Sequence, residues 1–210
     1  LQKTMANIEI MKQIIRSSGS VGANYIEANE ALSKKDFTME TRTPLLIVIS
    51  GPSGVGKDAI LANMKGSGYP HFFAMTATTR LQRPGESDGV DYHFVSQARF
   101  EEMIKGDTTR RNSYAHRNLY GVPKKLIKEA LTESRDVIVK VDIQGAATIK
   151  RVMPEAVLIF LLPPSMEELH QRLKERKTES EAELELRLKR AQEEMESLSL
   201  FDYSVVNHQD

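Results

Sequence analysis

The sequence predicts an α/β fold in which helices cover a parallel sheet, and three observations carry that prediction. Residues 45–49, 137–141 and 157–162 are near-continuous runs of branched apolar residues, the pattern of strands buried on both faces. Segments with helical spacing lie between or after them, at 99–105, 124–133, 165–177 and 181–198. The first run passes at once into a glycine-rich turn and a further helical stretch. Strands alternating with helices in this way bury both faces of one sheet.

The 210 residues suit one full domain plus a shorter piece, and a 40% apolar content supplies a core without a covalent staple. Cysteine is absent, which excludes disulfides, thiolate metal clusters and a cysteine nucleophile, and fits a reducing compartment such as the cytoplasm. Twenty-nine Lys and Arg balance 29 Asp and Glu, so nucleic acid is not the expected partner and any phosphate binding should be local. The apolar runs fall well short of the ~20 residues of a membrane helix. His71, His93, His116, His170 and His208 are scattered without ligand spacing, so no metal site built of side chains is expected.

Residues 1–37 form a helical N-terminal segment by pattern. Ile8, Met11, Ile14 and Ile15 keep a loose helical spacing, Ser17-Ser18-Gly19-Ser20 interrupts it, and a second stretch runs through Glu27 and Ala31. Two short amphipathic pieces cannot bury both apolar faces alone. The run Ser20-Val21-Gly22-Ala23-Asn24-Tyr25-Ile26-Glu27-Ala28, followed by Ser33-Lys34-Lys35-Asp36-Phe37, resembles part of the small four-helix-bundle proteins encoded in ribosomal-RNA intervening sequences. That resemblance implies a fusion or a fragment of another family; the other reading is an N-terminal interaction helix. Residues 38–43 are a polar linker, and Met39 stands where an independent reading frame could begin. The α/β pattern occupies 44–210.

After the strand at 45–49 comes Gly51-Pro52-Ser53-Gly54-Val55-Gly56-Lys57, which satisfies GxxxxGK and leads into a helix. Glycines let the backbone close around phosphate oxygens, successive N–H groups point inward with a helix N-terminus behind them, and lysine adds a positive charge. This is the context a nucleotide phosphate loop requires. Asp58 departs from the motif, standing where a Ser or Thr hydroxyl meets the Mg²⁺ that accompanies ATP. A carboxylate there can bind the ion or cap the helix, and it repels phosphate oxygens.

Next come Thr76, Thr78-Thr79-Arg80, Arg83, Gly85-Glu86, Gly89, Asp91-Tyr92 and Phe94-Val95-Ser96. Two arginines three apart, then an acid and a tyrosine, make an anion clamp, because guanidinium forks match phosphate and a phenol adds a directional donor. With the phosphate loop, this block resembles the guanylate kinase family, whose signature reads Thr-Thr-Arg, two residues, Arg, Gly-Glu, Gly-x-Asp-Tyr and Phe-Val-Ser. Further matches keep the family order: Tyr120-Gly121, Asp142-Ile143-Gln144-Gly145, Pro163-Pro164-Ser165 with Arg172 to Ser180, Arg187, and Val205-Val206-Asn207. The resemblance covers about 45–207. The family continues into a final helix, whereas this sequence stops at Asp210.

What the resemblance implies is a P-loop kinase with a parallel sheet flanked by helices, a small acceptor-nucleotide insert and a helical lid. The implied activity moves the γ-phosphoryl of Mg·ATP to GMP, with ATP and GMP as small-molecule partners and neither nucleic acid nor membrane expected. Gly51, Pro52, Ser53, Gly54, Val55, Gly56, Lys57 and Asp58 would hold the ATP phosphates and Asn207 would sit near adenine. Arg80, Arg83, Tyr92 and Tyr120 would take the acceptor phosphate, with Thr76, Glu86 and Asp142 lining the pocket. Arg172, Arg176 and Arg187 would close with Lys57 over the transferring group. Such a set suits phosphoryl transfer, where the protein aligns reactants and neutralises spreading charge without a general base.

Three positions depart from the family. By ungapped counting from Tyr120, Arg111 and Val122 occupy the places where a glutamate and a hydroxyl commonly read guanine. An arginine cannot accept from the base's N–H groups, and valine offers its carbonyl nothing. Lys140 stands where an acid is usual. Two further readings therefore stand beside the guanylate kinase: a non-catalytic binding module on the same fold, and a nucleoside monophosphate kinase with another base preference.

Overall fold

The computed structural model describes residues 43–66, 71–83, 85–105, 109–115, 118–175 and 181–208. By contacts the chain divides into two compact units, one of Pro44–Ser50 with Pro70–Leu158, the other containing Gly51–Tyr69 and Ile159–Asp210.

In the first unit, strands β1 (Leu46–Ser50), β2 (Phe72–Ala74) and β7 (Val137–Lys140) run parallel. β7 is central: Leu46 to Ile49 of β1 pair with Val137 to Lys140, and Phe72 to Ala74 of β2 pair with Val137 to Val139. Every residue of β1 is buried, as a branched apolar run predicts. Its entry is pinned by Asp136, whose Oδ1 accepts from Leu45 N at 2.9 Å, while Val137 N donates to the Leu45 carbonyl at 2.8 Å. Helices α3 (Lys124–Thr132) and α4 (Ile143–Val152) belong to the same unit.

A second, smaller sheet in this unit has the order β4-β3-β6-β5, built from β3 (Ala77–Thr78), β4 (His93–Phe94), β5 (Thr109–Ala115) and β6 (Asn118–Pro123). β3 pairs parallel with β4 and antiparallel with β6, while β5 pairs antiparallel with β6. Helix α2 (Gln97–Lys105) sends the fully buried Phe100 against Ala77 and Leu119. Burying a side chain of that size contributes roughly 1.5–3 kcal/mol.

The second unit holds the glycine loop, helix α1 (Lys57–Gly66), the parallel pair formed by Ile159 to Leu162 of β8 (Val157–Leu162) with β9 (Tyr203–Val206), and helices α5 (Met166–Glu175) and α6 (Glu181–Met195). Leu169, Leu173 and Ala191 form its helical core, joined by Met166, Leu184 and Leu188. The helical spacing read over 181–198 gives an α-helix that ends at Met195, where a 3₁₀ turn over Glu196–Leu200 takes over. Phe201 N donates to the Leu198 carbonyl at 3.0 Å, and that tighter turn delivers Phe201 to the Phe160 ring, centroids 4.8 Å apart.

Candidate active site

Gly51 follows directly from β1 and adopts φ 147°; a Cβ there would stand 2.5 Å from the Leu161 carbonyl oxygen. Only glycine lets the chain leave so close to β8. Gly54, at φ 89°, is equally constrained, since its Cβ would meet Leu173 Cδ2 at 2.7 Å. The loop therefore rests on α5 and ends on α1, whose first-turn N–H groups have no intrahelical partners and favour anions.

The cations of this unit are held by the loop itself and by the last strand. Lys57 Nζ donates to the carbonyls of Gly51 at 2.6 Å and Pro52 at 2.9 Å, so the ammonium folds back over its own loop. Arg187 Nη2 donates to Ser53 Oγ at 3.0 Å, tying α6 to the loop. Asp58 is exposed in the first turn of α1, where a negative charge is favourable toward the helix dipole.

Two residues assigned to the nucleotide are buried and bonded within the protein. Asn207 is 1% exposed, and its amide nitrogen donates to the Val55 carbonyl at 2.7 Å, so it braces the loop. Arg172 is 8% exposed; Nε meets Glu168 Oε1 and Nη2 meets the Asn207 carbonyl, both at 3.1 Å. Its Nη1 is buried with no hydrogen-bond partner among the described residues. Arg176 lies outside the described residues.

In the other unit the predicted acceptor residues gather on the small sheet. Thr78 Oγ1 accepts from Arg80 N at 3.1 Å and Thr79 Oγ1 accepts from Leu119 N at 2.9 Å, so the paired threonines fix the backbone that presents Arg80. Arg80 Nη2 donates to both oxygens of Glu86, at 2.8 and 2.9 Å, and Arg83 N donates to Glu86 Oε2 at 2.9 Å. The Gln82 side-chain nitrogen donates to the Glu86 carbonyl. Glu86 thus organises the arginine loop, a role its expected place in the pocket did not include. Burial alone would raise the Glu86 carboxyl, but hydrogen bonds from Arg80 and the Arg83 backbone hold it below the usual range. Burial would likewise lower Arg80, yet Glu86, with help from Tyr120, raises it.

The Arg80 guanidinium lies over the rings of Tyr92 at 5.4 Å and Phe94 at 5.5 Å, and Tyr92 meets Tyr120 edge-on with centroids 6.3 Å apart. Arg83 is exposed nearby in sequence. Thr76, 5% exposed, donates to the Lys140 carbonyl at 3.0 Å. Asp142 caps α4, accepting from Gly145 N at 2.7 Å. Sequence reasoning missed two supports, Asp88 accepting from Phe94 N and Asp91 accepting from Ser87 N, both at 2.8 Å. The signal was Asp88-Gly89 and Asp91 in a turn-rich stretch, where Asp side chains fold onto nearby backbone.

Of the two doubtful base-reading positions, Arg111 pairs with Gly121, and a bulge follows between Arg111 and Ser113. Val122 is 3% exposed and lines an apolar cavity of about 430 Å³ with Leu46, Ile127 and Ile149. Among the described residues, no group of three or more His, Asp or Glu side chains could hold a metal.

A glycine loop between a buried parallel strand and a helix, closed by a lysine and accompanied by an arginine and tyrosine cluster on a separate small sheet, defines a phosphate-loop kinase. The guanylate kinase family model matches residues 43–209. The chain is 45% identical over 163 residues to a guanylate kinase of Caldanaerobacter subterraneus, covering 78% of this chain and 79% of that one. It is 40% identical over 163 residues to a guanylate kinase of Carboxydothermus hydrogenoformans, covering 78% and 80%. A solved guanylate kinase from Anaplasma phagocytophilum superimposes with a TM-score of 0.64 at 29% identity, covering 80% of this chain and 78% of that one. The chain belongs to the guanylate kinase family.

Proposed function

We propose that the chain transfers the γ-phosphoryl of Mg·ATP to GMP, giving ADP and GDP, and so serves purine nucleotide supply in the cytoplasm. The observation that carries this reading is the intact loop with Lys57 laid across it. On binding ATP, loop N–H groups and Lys57 take the phosphate oxygens, the ammonium exchanging two carbonyls for anionic partners that bind it more strongly. Mg²⁺ bound with the nucleotide would supply charge neutralisation on those oxygens, and Asp58, in the first turn of α1, would be the side chain to hold it. Arg187, already anchored on the loop by Ser53, adds positive charge as charge spreads in the transfer. Arg176 has the same assignment from the family pattern. Arg80, Arg83, Tyr92 and Tyr120 bind and orient the acceptor phosphate, with Thr76 and Asp142 fixing the surrounding backbone. No general base is required, because the protein's work is alignment and electrostatic stabilisation.

Residues 1–37 take no part in this reading, and 44–210 form the catalytic domain. A coupled ADP-release assay with GMP, dGMP, AMP, CMP and UMP, on the full chain and on one starting at Met39, tests both statements. Lys57→Ala is expected to cut turnover by on the order of 10²–10³-fold while leaving GMP affinity nearly intact. Unchanged turnover would sink the mechanism.

One observation favours a second reading. Val122 carries no hydrogen-bonding group and is packed in an apolar cavity, so the hydroxyl that commonly meets the guanine carbonyl is missing. Base preference then shifts or relaxes, and comparable turnover with another monophosphate in the same assay would establish it.

A further inference from the structure

Helix α3 turns one face to the apolar cavity. Lys124, Ile127, Lys128 and Leu131 all line it, at the i, i+3, i+4, i+7 spacing of a single helical stripe. Thr148, Ile149 and Val152 of α4 supply a second wall, with Leu46 of β1 and Val122 of β6 between strand and helix layers. A stripe so placed is ordinarily apolar throughout, yet two of its four residues are lysines. Lysine stems are hydrocarbon and cover apolar surface while their ammoniums reach water, so the cavity has an apolar body and a cationic edge.

The volume of about 430 Å³ falls within the ~300–1,000 Å³ range of small-molecule sites. An apolar cavity of about 150 Å³ already accepts benzene, so this one has room for a chain of roughly ten carbons. It is reachable from solvent, since Val152 is 41% exposed and Lys128 and Thr132 are exposed as well.

Charge decides which head group suits the edge. No acid is among the described residues that line the cavity. Neither Lys124 nor Lys128 has an Asp or Glu three or four positions away in sequence, and Glu129, the acid of α3, lies 3.7 Å from Lys125. Lys128 has no ion-pair partner among the described residues. Like charges four apart on a helix repel, and an anion at this edge relieves that repulsion while gaining charge-assisted hydrogen bonds.

We propose that the cleft between α3 and α4 binds a medium-chain carboxylate, its alkyl chain in the cavity and its head group at Lys128 and Lys124. Among the described residues, none assigned to the acceptor phosphate lines the cleft, and the inference does not depend on the transfer reading.

Calorimetric titration of the full chain with decanoate, decanol and decyltrimethylammonium, each below its critical micelle concentration, tests it on native protein, K128Q and V152W. Decanoate is expected to bind native protein about tenfold more tightly than decanol, the scale of one hydrogen bond to a charged group, and the cation to bind weakest. K128Q should remove that preference and leave decanol affinity unchanged. V152W sets an indole at the half-exposed opening and should abolish binding of all three, with circular dichroism checking its fold; K128Q, at an exposed position, decides the matter if V152W does not fold. Equal affinity for the three probes would show plain apolar adsorption, and K128Q keeping the preference would put the head group elsewhere. Unaltered binding by a folded V152W would put the chain elsewhere. Each of these overturns the inference, as does an absence of binding, or heat released only above the micelle concentration, which would mark a lipid surface as the partner.

Discussion

In the loop unit, backbone carbonyls hold the phosphate-loop cation, Lys57 by Gly51 and Pro52, while Arg172 is shared between the Asn207 carbonyl and the Glu168 carboxylate. In the acceptor unit the main cation is held by side chains, Arg80 by Glu86 and by the faces of Tyr92 and Phe94. A backbone-held site depends on chain geometry, which a single Cβ can spoil, and it is indifferent to pH. A side-chain-held site tolerates backbone change better but rises and falls with the ionisation of its partners.

The most severe way to break the first kind is Gly51→Ala. Its Cβ would meet the Leu161 carbonyl at 2.5 Å in a backbone conformation that alanine rarely adopts, so a loss of ~3 kcal/mol or more and of ADP release is expected. Urea unfolding checks it; an unshifted midpoint would mean that this close approach does not govern the loop. Arg172 comes next. Arg172→Ala should cost ~2 kcal/mol, because the Asn207 carbonyl loses a buried donor, whereas Arg172→Met restores packing and should cost less. If the methionine variant keeps its stability but loses turnover, Arg172 acts on the transferring group and is more than a strut.

The acceptor unit is sharpened by pH. The Glu86 carboxyl is held below its ordinary value in the folded chain, so its contribution is present above that value and disappears as pH falls through the lowered one. Glu86→Gln should flatten this acid limb of a stability-against-pH curve and weaken GMP binding severalfold through a loosened Arg80. An acid limb identical to that of the native chain would count against the pairing. The smallest effect is expected away from both sites: Ser134, just after α3, sits at φ 58°, and Ser134→Gly should stabilise by ~0.5–1 kcal/mol in the same urea titration.

The three buried strands were legible to within a residue at each end, since burial on both faces writes a continuous apolar run. The phosphate loop was legible because its parts are contiguous and each glycine answers a local demand. The small sheet was not, as β3 and β4 are two residues long and show no alternation to read. For the same reason the partners of Glu86 were invisible: residue type marks it as an acid near a ligand, and only the folded loop shows it tied to Arg80. Arg172 and Asn207 were found as residues, but their burial was not written in their spacing. Lys140 was visible as a departure, and the position of its ammonium, 4.3 Å from the centroid of the Tyr92 ring, came only from the fold.

The Asn207 amide and the Val55 carbonyl it grips are 152 positions apart in sequence. A ribosome adding roughly 5–20 residues per second makes the glycine loop on the order of 10 s before the strut that steadies it. During synthesis the loop exists as a half-finished cradle, and β9, which leaves the exit tunnel much later, works as a latch. A ribosome that stalls short of residue 207 leaves a chain with the whole motif and without its Asn207 brace.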